Sequence, residues 1–166
     1  MIEKYKFFSQ ITAIISLVLY LVLLTWIIVF KFRLDFSDLA YIRSVNLIPF
    51  RETGVINGIS GNWLNVGLFV PLGMYLEFLQ KGKGRKIGII LLVSLTFETL
   101  QYVFHIGISD TTDVIMNFTG GVIGMIIMRI IYRLLSDKIA GYGLDVALST
   151  LSFIIPISMM GLLLVI

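Results

Sequence analysis

Ser94, Glu98, Gln101 and His105 follow one another at spacings of four, three and four residues inside one apolar run. On a helix those spacings place all four on one face. Glu98 is the member most able to do chemistry. A carboxylate can accept hydrogen bonds from a ligand, move a proton as a general acid or base, or help hold a cation through oxygen. Asp110 and Asp113 come next, with Asn117 one turn beyond Asp113. Upstream stand Asn46 and Arg51, then Asn62 and Asn65, which share a helical face.

These polar residues interrupt a chain of 166 residues that is 58% hydrophobic. A soluble domain of that size cannot hide so much apolar surface. A bilayer solvates it directly, at roughly 20 residues per helical crossing. Five spans are expected, at Ile11 to Phe30, Trp63 to Leu79, Ile87 to Ile106, Val114 to Tyr132 and Val146 to Ile166. The expected fold is an all-α membrane protein: a small polytopic bundle of about five transmembrane helices, forming a single domain over residues 1–166. The segment from Lys31 to Asn62 is read as an ordered outer loop folded back over the bundle, with partial re-entry left open. The first run is a retained signal anchor, because Lys31-Phe32-Arg33 stands where a cleavage site belongs.

Composition excludes several functions. No cysteine is present, so thiolate chemistry and disulfides are ruled out. The net charge of +3 comes from basic residues between apolar runs, where topology explains them without nucleic acid. Lys81, Lys83, Arg85 and Lys86 mark one connection as cytoplasmic, and Gly107 to Thr112, with no Lys or Arg, as external. The amino terminus then lies inside the cell and the carboxyl terminus outside. The basic residues of the first connection run against this orientation, and the contrast between the next two decides it.

That topology gathers the polar residues near the outer face. A helix rises about 1.5 Å per residue, which puts Glu98 near mid-membrane and His105 near the surface. Asn62 and Asn65 enter from the same side, ahead of Pro71 and Gly73, which are expected to kink the second span. Asp113 is expected at a helix amino terminus, offsetting the backbone dipole. Gly120 and Gly124 form a GxxxG pattern suited to close helix contact. A charged carboxylate at mid-span costs about 2.5 to 3.5 kcal/mol on insertion scales. Protonation, Arg51, His105 or a cation held by Asp110 and Asp113 would offset it. Plain structural roles stay open: Asn65, Gln101 and Asn117 as interhelix hydrogen bonders, Asp113 as a cap, and Glu77 as a paired interfacial group.

The segments NLIPF at Asn46 to Phe50, NVGLFVPLG at Asn65 to Gly73, the pair Glu98 and Gln101, and DTTDVIMNFTGGVIG from Asp110 to Gly124 occur in that order. This set resembles the VanZ-like family of small bacterial membrane proteins, over a core from about residue 46 to 124. The resemblance implies low-level resistance to glycopeptide antibiotics, teicoplanin especially, for the founding member. The family's recurrent polar positions fall here on Asn46, Asn65, Glu98, Gln101, Asp110, Asp113 and Asn117. Many members carry a further acidic residue directly before the second aspartate, where this chain has Thr112. That weakens a carboxylate-cluster metal site.

The leading expectation is a cell-envelope protein with an outward-facing polar cavity that binds the head group of an amphiphile. Its ligand-binding set is Asn46, Arg51, Asn65, Glu98, Gln101, His105, Asp110, Asp113 and Asn117. The partners expected are membrane lipids, a lipid-linked wall precursor or a lipoglycopeptide, with self-association left open. The main alternative is an integral membrane enzyme acting on a lipid-linked phosphate or sugar, with Glu98 as acid or base. It lacks a nucleophile, so binding is favoured over catalysis. No cofactor is expected, save a divalent cation at Asp110 and Asp113. A proton-coupled transporter and a structural accessory subunit complete the alternatives.

Overall fold

The computed structural model describes residues 2–30, 42–50, 57–79, 82–104 and 106–136. They form four helices, α1 (Ile2–Phe30), α2 (Asn57–Leu79), α3 (Lys83–Val103) and α4 (Thr111–Ser136). Two short strands, β1 (Ile42–Asn46) and β2 (Ile106–Asp110), complete them. The helical bundle agrees with the expected class. The strands were not anticipated.

Bundle packing begins with glycine. A Cβ placed on Gly120 would fall on the Val66 carbonyl, one on Gly124 on the Val70 carbonyl, and one on Gly73 on the Gly121 carbonyl. α2 and α4 therefore run parallel with their backbones in contact. In lipid, where apolar side chains gain nothing by leaving solvent, such close packing is a main source of helix association. Gly121 faces the Ile90 side chain and admits α3 to the same seam.

The core fills around that seam. Tyr20 and Leu24 of α1, Phe69 and Leu72 of α2, and Ile90 and Phe97 of α3 are buried together. The Phe69 and Phe97 rings meet edge to face at 6.1 Å. α1 runs alongside α3, because Ser16 bonds Tyr75 low on α2 while the Ile28 carbonyl accepts from Gln101 high on α3. The Tyr20 hydroxyl donates to the Leu68 carbonyl, three residues before Pro71. The helix assignment of α2 continues through that proline.

Outward faces are apolar: Ile14, Val18 and Val22 of α1, Leu92 and Leu95 of α3, and Ile126 and Ile130 of α4 are exposed. Three helices are long and apolar enough to cross a membrane, over Gln10–Val29, Lys83–Val103 and Thr111–Leu134. The apolar part of α2, Trp63–Leu79, is shorter. The count of full spans is thus about three rather than five among the described residues. The fifth expected span, 146–166, lies outside them. The third expected span also ends early: α3 stops at Val103, and Ile106 begins β2.

The bundle has two chemically different ends. At one, Glu77 accepts from Lys86 Nζ at 2.7 Å and from Arg129 Nη2 at 3.1 Å, joining α2, α3 and α4. The expectation that Glu77 is a paired group holds here.

Gly73→Ala and Gly124→Ala are each expected to destabilise the bundle by about 1 to 3 kcal/mol, the usual cost of forced overpacking. Gly88→Ala, where an added Cβ meets nothing within 4 Å, is expected to be neutral or better. Thermal unfolding in detergent, followed by tryptophan fluorescence, compares the three variants.

Candidate functional site at the polar end

Backbone at membrane depth must find its partners within the protein. After α3 closes, with the Phe104 N–H on the Leu100 carbonyl, the chain turns into β2 rather than continuing as helix. Both strands carry β-branched residues, Ile106 and Ile108 in β2 and Ile42 and Val45 in β1, which favour extended backbone. The two strands pair in parallel, Ile42 opposite Ile106 and Asn46 opposite Asp110. This pairing brings residues more than sixty positions apart to one point.

Asp110 is the centre of that point. Its Oδ1 accepts the Thr112 N–H at 2.8 Å, the bond of a helix amino-terminal cap on α4. Its Oδ2 accepts from Asn46 Nδ2 at 3.0 Å. Its own N–H donates to Glu98 Oε2 at 2.9 Å, and the Ser109 hydroxyl donates to the same oxygen at 3.2 Å. Glu98 is buried, so these two donors offset part of the cost of taking a carboxylate out of water.

The flanking turn is bound to the same place. Thr111 Oγ1 donates to the Asn46 carbonyl at 3.1 Å, and Asn46 Oδ1 accepts the Ile48 N–H at 3.2 Å. The Phe50 N–H donates to Thr112 Oγ1 at 2.9 Å. Phe50 sits at φ 56°, an uncommon conformation for an aromatic residue. Leu47, Ile48 and Phe50 stand exposed above the polar groups.

Two further pairs lie in the same half of the bundle. Asn65 Nδ2 donates to Asp113 Oδ1 at 2.8 Å between α2 and α4. Deeper, Asn117 Nδ2 donates to Ser94 Oγ at 3.0 Å between α4 and α3. Gln101 turns to α1 and donates to the Ile28 carbonyl at 2.9 Å. Asn117 Oδ1 and Gln101 Oε1 are buried acceptors with no partner among the described residues.

Of the residues expected at the site, Asn46, Glu98 and Asp110 thus form one network, Asn65 and Asp113 a second, and Asn117 pairs with Ser94. One expectation needs correction. The cap of α4 is Asp110 rather than Asp113, because the helix starts at Thr111, three residues earlier than the hydrophobic pattern suggests, which leaves Asp113 in the first turn. His105 and Arg51 lie outside the described residues. Sequence reasoning missed Ser109, Thr111 and Thr112, whose roles depend on the strand pair. The signal available was a cap residue at Asp110 ahead of a long apolar run. Among the described residues, no group of three or more acidic or histidine side chains is placed to hold a metal ion.

A helical bundle with lipid-facing apolar surfaces, three spanning helices and polar groups collected at one end is an integral membrane protein. Over residues 17–132 the chain matches the VanZ/LLP1 family, and it belongs to that family. It is 40% identical over 113 residues to Protein VanZ of Enterococcus faecium, an alignment covering 66% of this chain and 68% of that protein. No solved structure matches it.

Asp110→Ala is expected to destabilise the protein by about 1 to 2 kcal/mol through loss of the cap alone. Asp110→Asn should retain most of that stability, since asparagine caps equally well. Chemical unfolding in detergent, followed by circular dichroism, distinguishes the two variants.

Proposed function

We propose that this protein binds the head group of an amphiphile at the polar end of its bundle, in the outer leaflet of a bacterial cell membrane. It thereby contributes to glycopeptide resistance of the teicoplanin type or to cell-envelope homeostasis. The observation that carries this reading is the collection of Asn46, Asn65, Glu98, Asp110 and Asp113 at one end of helices whose other faces are apolar. Membership of the VanZ/LLP1 family and likeness to Protein VanZ support the link to resistance. In this reading the polar end faces outward, the amino terminus is cytoplasmic and the carboxyl terminus extracellular. Ligands include a lipid-linked wall precursor or a lipid-bearing glycopeptide, both of which carry hydroxyl and amide donors for the carboxylates.

A second reading gains from one contact. The Ser109 hydroxyl beside Glu98 supplies the nucleophile that the sequence alone lacked, since a neighbouring carboxylate can take the proton of an attacking hydroxyl. On a lipid-linked phosphate or sugar, the Ser109 oxygen would bond to phosphorus or the anomeric carbon as the bond to the leaving oxygen breaks. The Ser109 proton would pass through Glu98 to that oxygen, and water would then release the group from Ser109. Turnover abolished by Ser109→Ala selects this reading, and its absence from the intact protein removes it.

The test of binding has two arms. A susceptible host expressing the chain should tolerate several-fold more teicoplanin than the host alone, and Glu98→Ala at equal membrane abundance should lose that protection. The purified protein should bind teicoplanin or a lipid-linked wall precursor, measured by calorimetry in detergent. Binding unchanged in a folded Glu98→Ala protein sinks the proposed site.

A further inference from the structure

The opposite end of the bundle carries a charge distribution that the polar cluster does not use. Lys86 is 7% exposed and points to Glu77, which also takes Arg129. One acid therefore holds two basic residues, from α3 and α4, beside one another. Around this pair, Lys83 and Arg85 are exposed at the start of α3, and Arg129 and Arg133 are exposed near the end of α4. Glu77 is the sole acid among the described side chains at this end, against five basic ones. Three of the α2–α4 acids, Glu98, Asp110 and Asp113, lie at the other end.

Height along the bundle sets what such a surface meets. Exposed Leu91 and Leu92 follow the α3 basic residues within two turns, and exposed Ile126, Ile127, Ile130 and Leu134 flank Arg129 and Arg133 on α4. The α3 basic groups thus stand at the start of that helix's apolar face, and those of α4 within the last turns of its apolar stretch. Long basic side chains at such a boundary keep their stems in the apolar layer and their charges in the headgroups. An added Cβ on Gly82, Gly84 or Gly88 would meet nothing within 4 Å, so a headgroup can approach this backbone.

We propose that this end is a binding surface for anionic phospholipid headgroups, selected over zwitterionic ones by Lys83 and Arg85. Glu77, Lys86 and Arg129 serve as the brace that keeps the basic ends of α3 and α4 together. The surface is independent of the amphiphile site at the other end, and neither proposal needs the other. Each basic residue near an anionic lipid surface favours binding about fivefold.

Native mass spectrometry of the purified full chain, offered equal phosphatidylglycerol and phosphatidylcholine, tests it. The intact protein should retain phosphatidylglycerol in excess, and 0.5 M salt, here about a few-ångström screening length, should erode the excess. Lys83→Gln with Arg85→Gln, at exposed positions, should lower that excess about tenfold or more. The charge-keeping pair Lys83→Arg with Arg85→Lys should preserve it. Soluble glycerol phosphate should not displace the lipid. Equal retention of both lipids, an excess unchanged in the glutamine pair, or displacement by glycerol phosphate would each overturn the proposal.

Discussion

Contact between the backbones of α2 and α4 sets the position of nearly everything else. Gly120 and Gly124 lie against the carbonyls of Val66 and Val70, and Gly73 lies against Gly121. No side chain intervenes to cushion a slip between the two helices. The register that results places Asn65 beside Asp113 at one end and Glu77 beside Arg129 at the other. Short polar side chains can meet at the Asn65 end because the seam leaves no wider gap to cross. α3 then enters through Ile90 on Gly121 and carries Ser94 and Glu98 to α4 and β2.

The polar end illustrates how a buried carboxylate is accommodated with no basic partner among the described residues. Glu98 accepts from a backbone N–H and a hydroxyl, both donated by β2. The strand is therefore more than a connection: it supplies the carboxylate with hydrogen-bond donors. In return, Glu98 satisfies a backbone donor that would otherwise be stranded at the turn into α4. Helix, strand and cap depend on one another through these few bonds.

Much of this was legible from residue types and spacing. Ser94, Glu98 and Gln101 share a face because helical period alone dictates it, and the glycines of α4 announced close contact. The strand pair was not legible. Gly107 to Thr112 reads as a short connection between two spans, and five residues with two isoleucines and a glycine are too short a run for periodicity to mark a strand. β1 finds its partner across two intervening helices, and nothing local to Ile42–Asn46 names β2. The reading of Asp113 rather than Asp110 as the cap follows from that one missed element. Arg51, read as part of the site, lies outside the described residues.

β2 passes into α4 without a linker, Asp110 ending the strand and Thr111 beginning the helix. The last strand residue is therefore also the first fixed point of the helix. A pull on the exposed turn at Leu47 to Phe50 reaches Asp110 through Asn46, and reaches α4 through Thr112. The polar half of the protein works like a lever with a short arm: a molecule that lodges against that turn acts on the seating of the helix, and not on a loop alone.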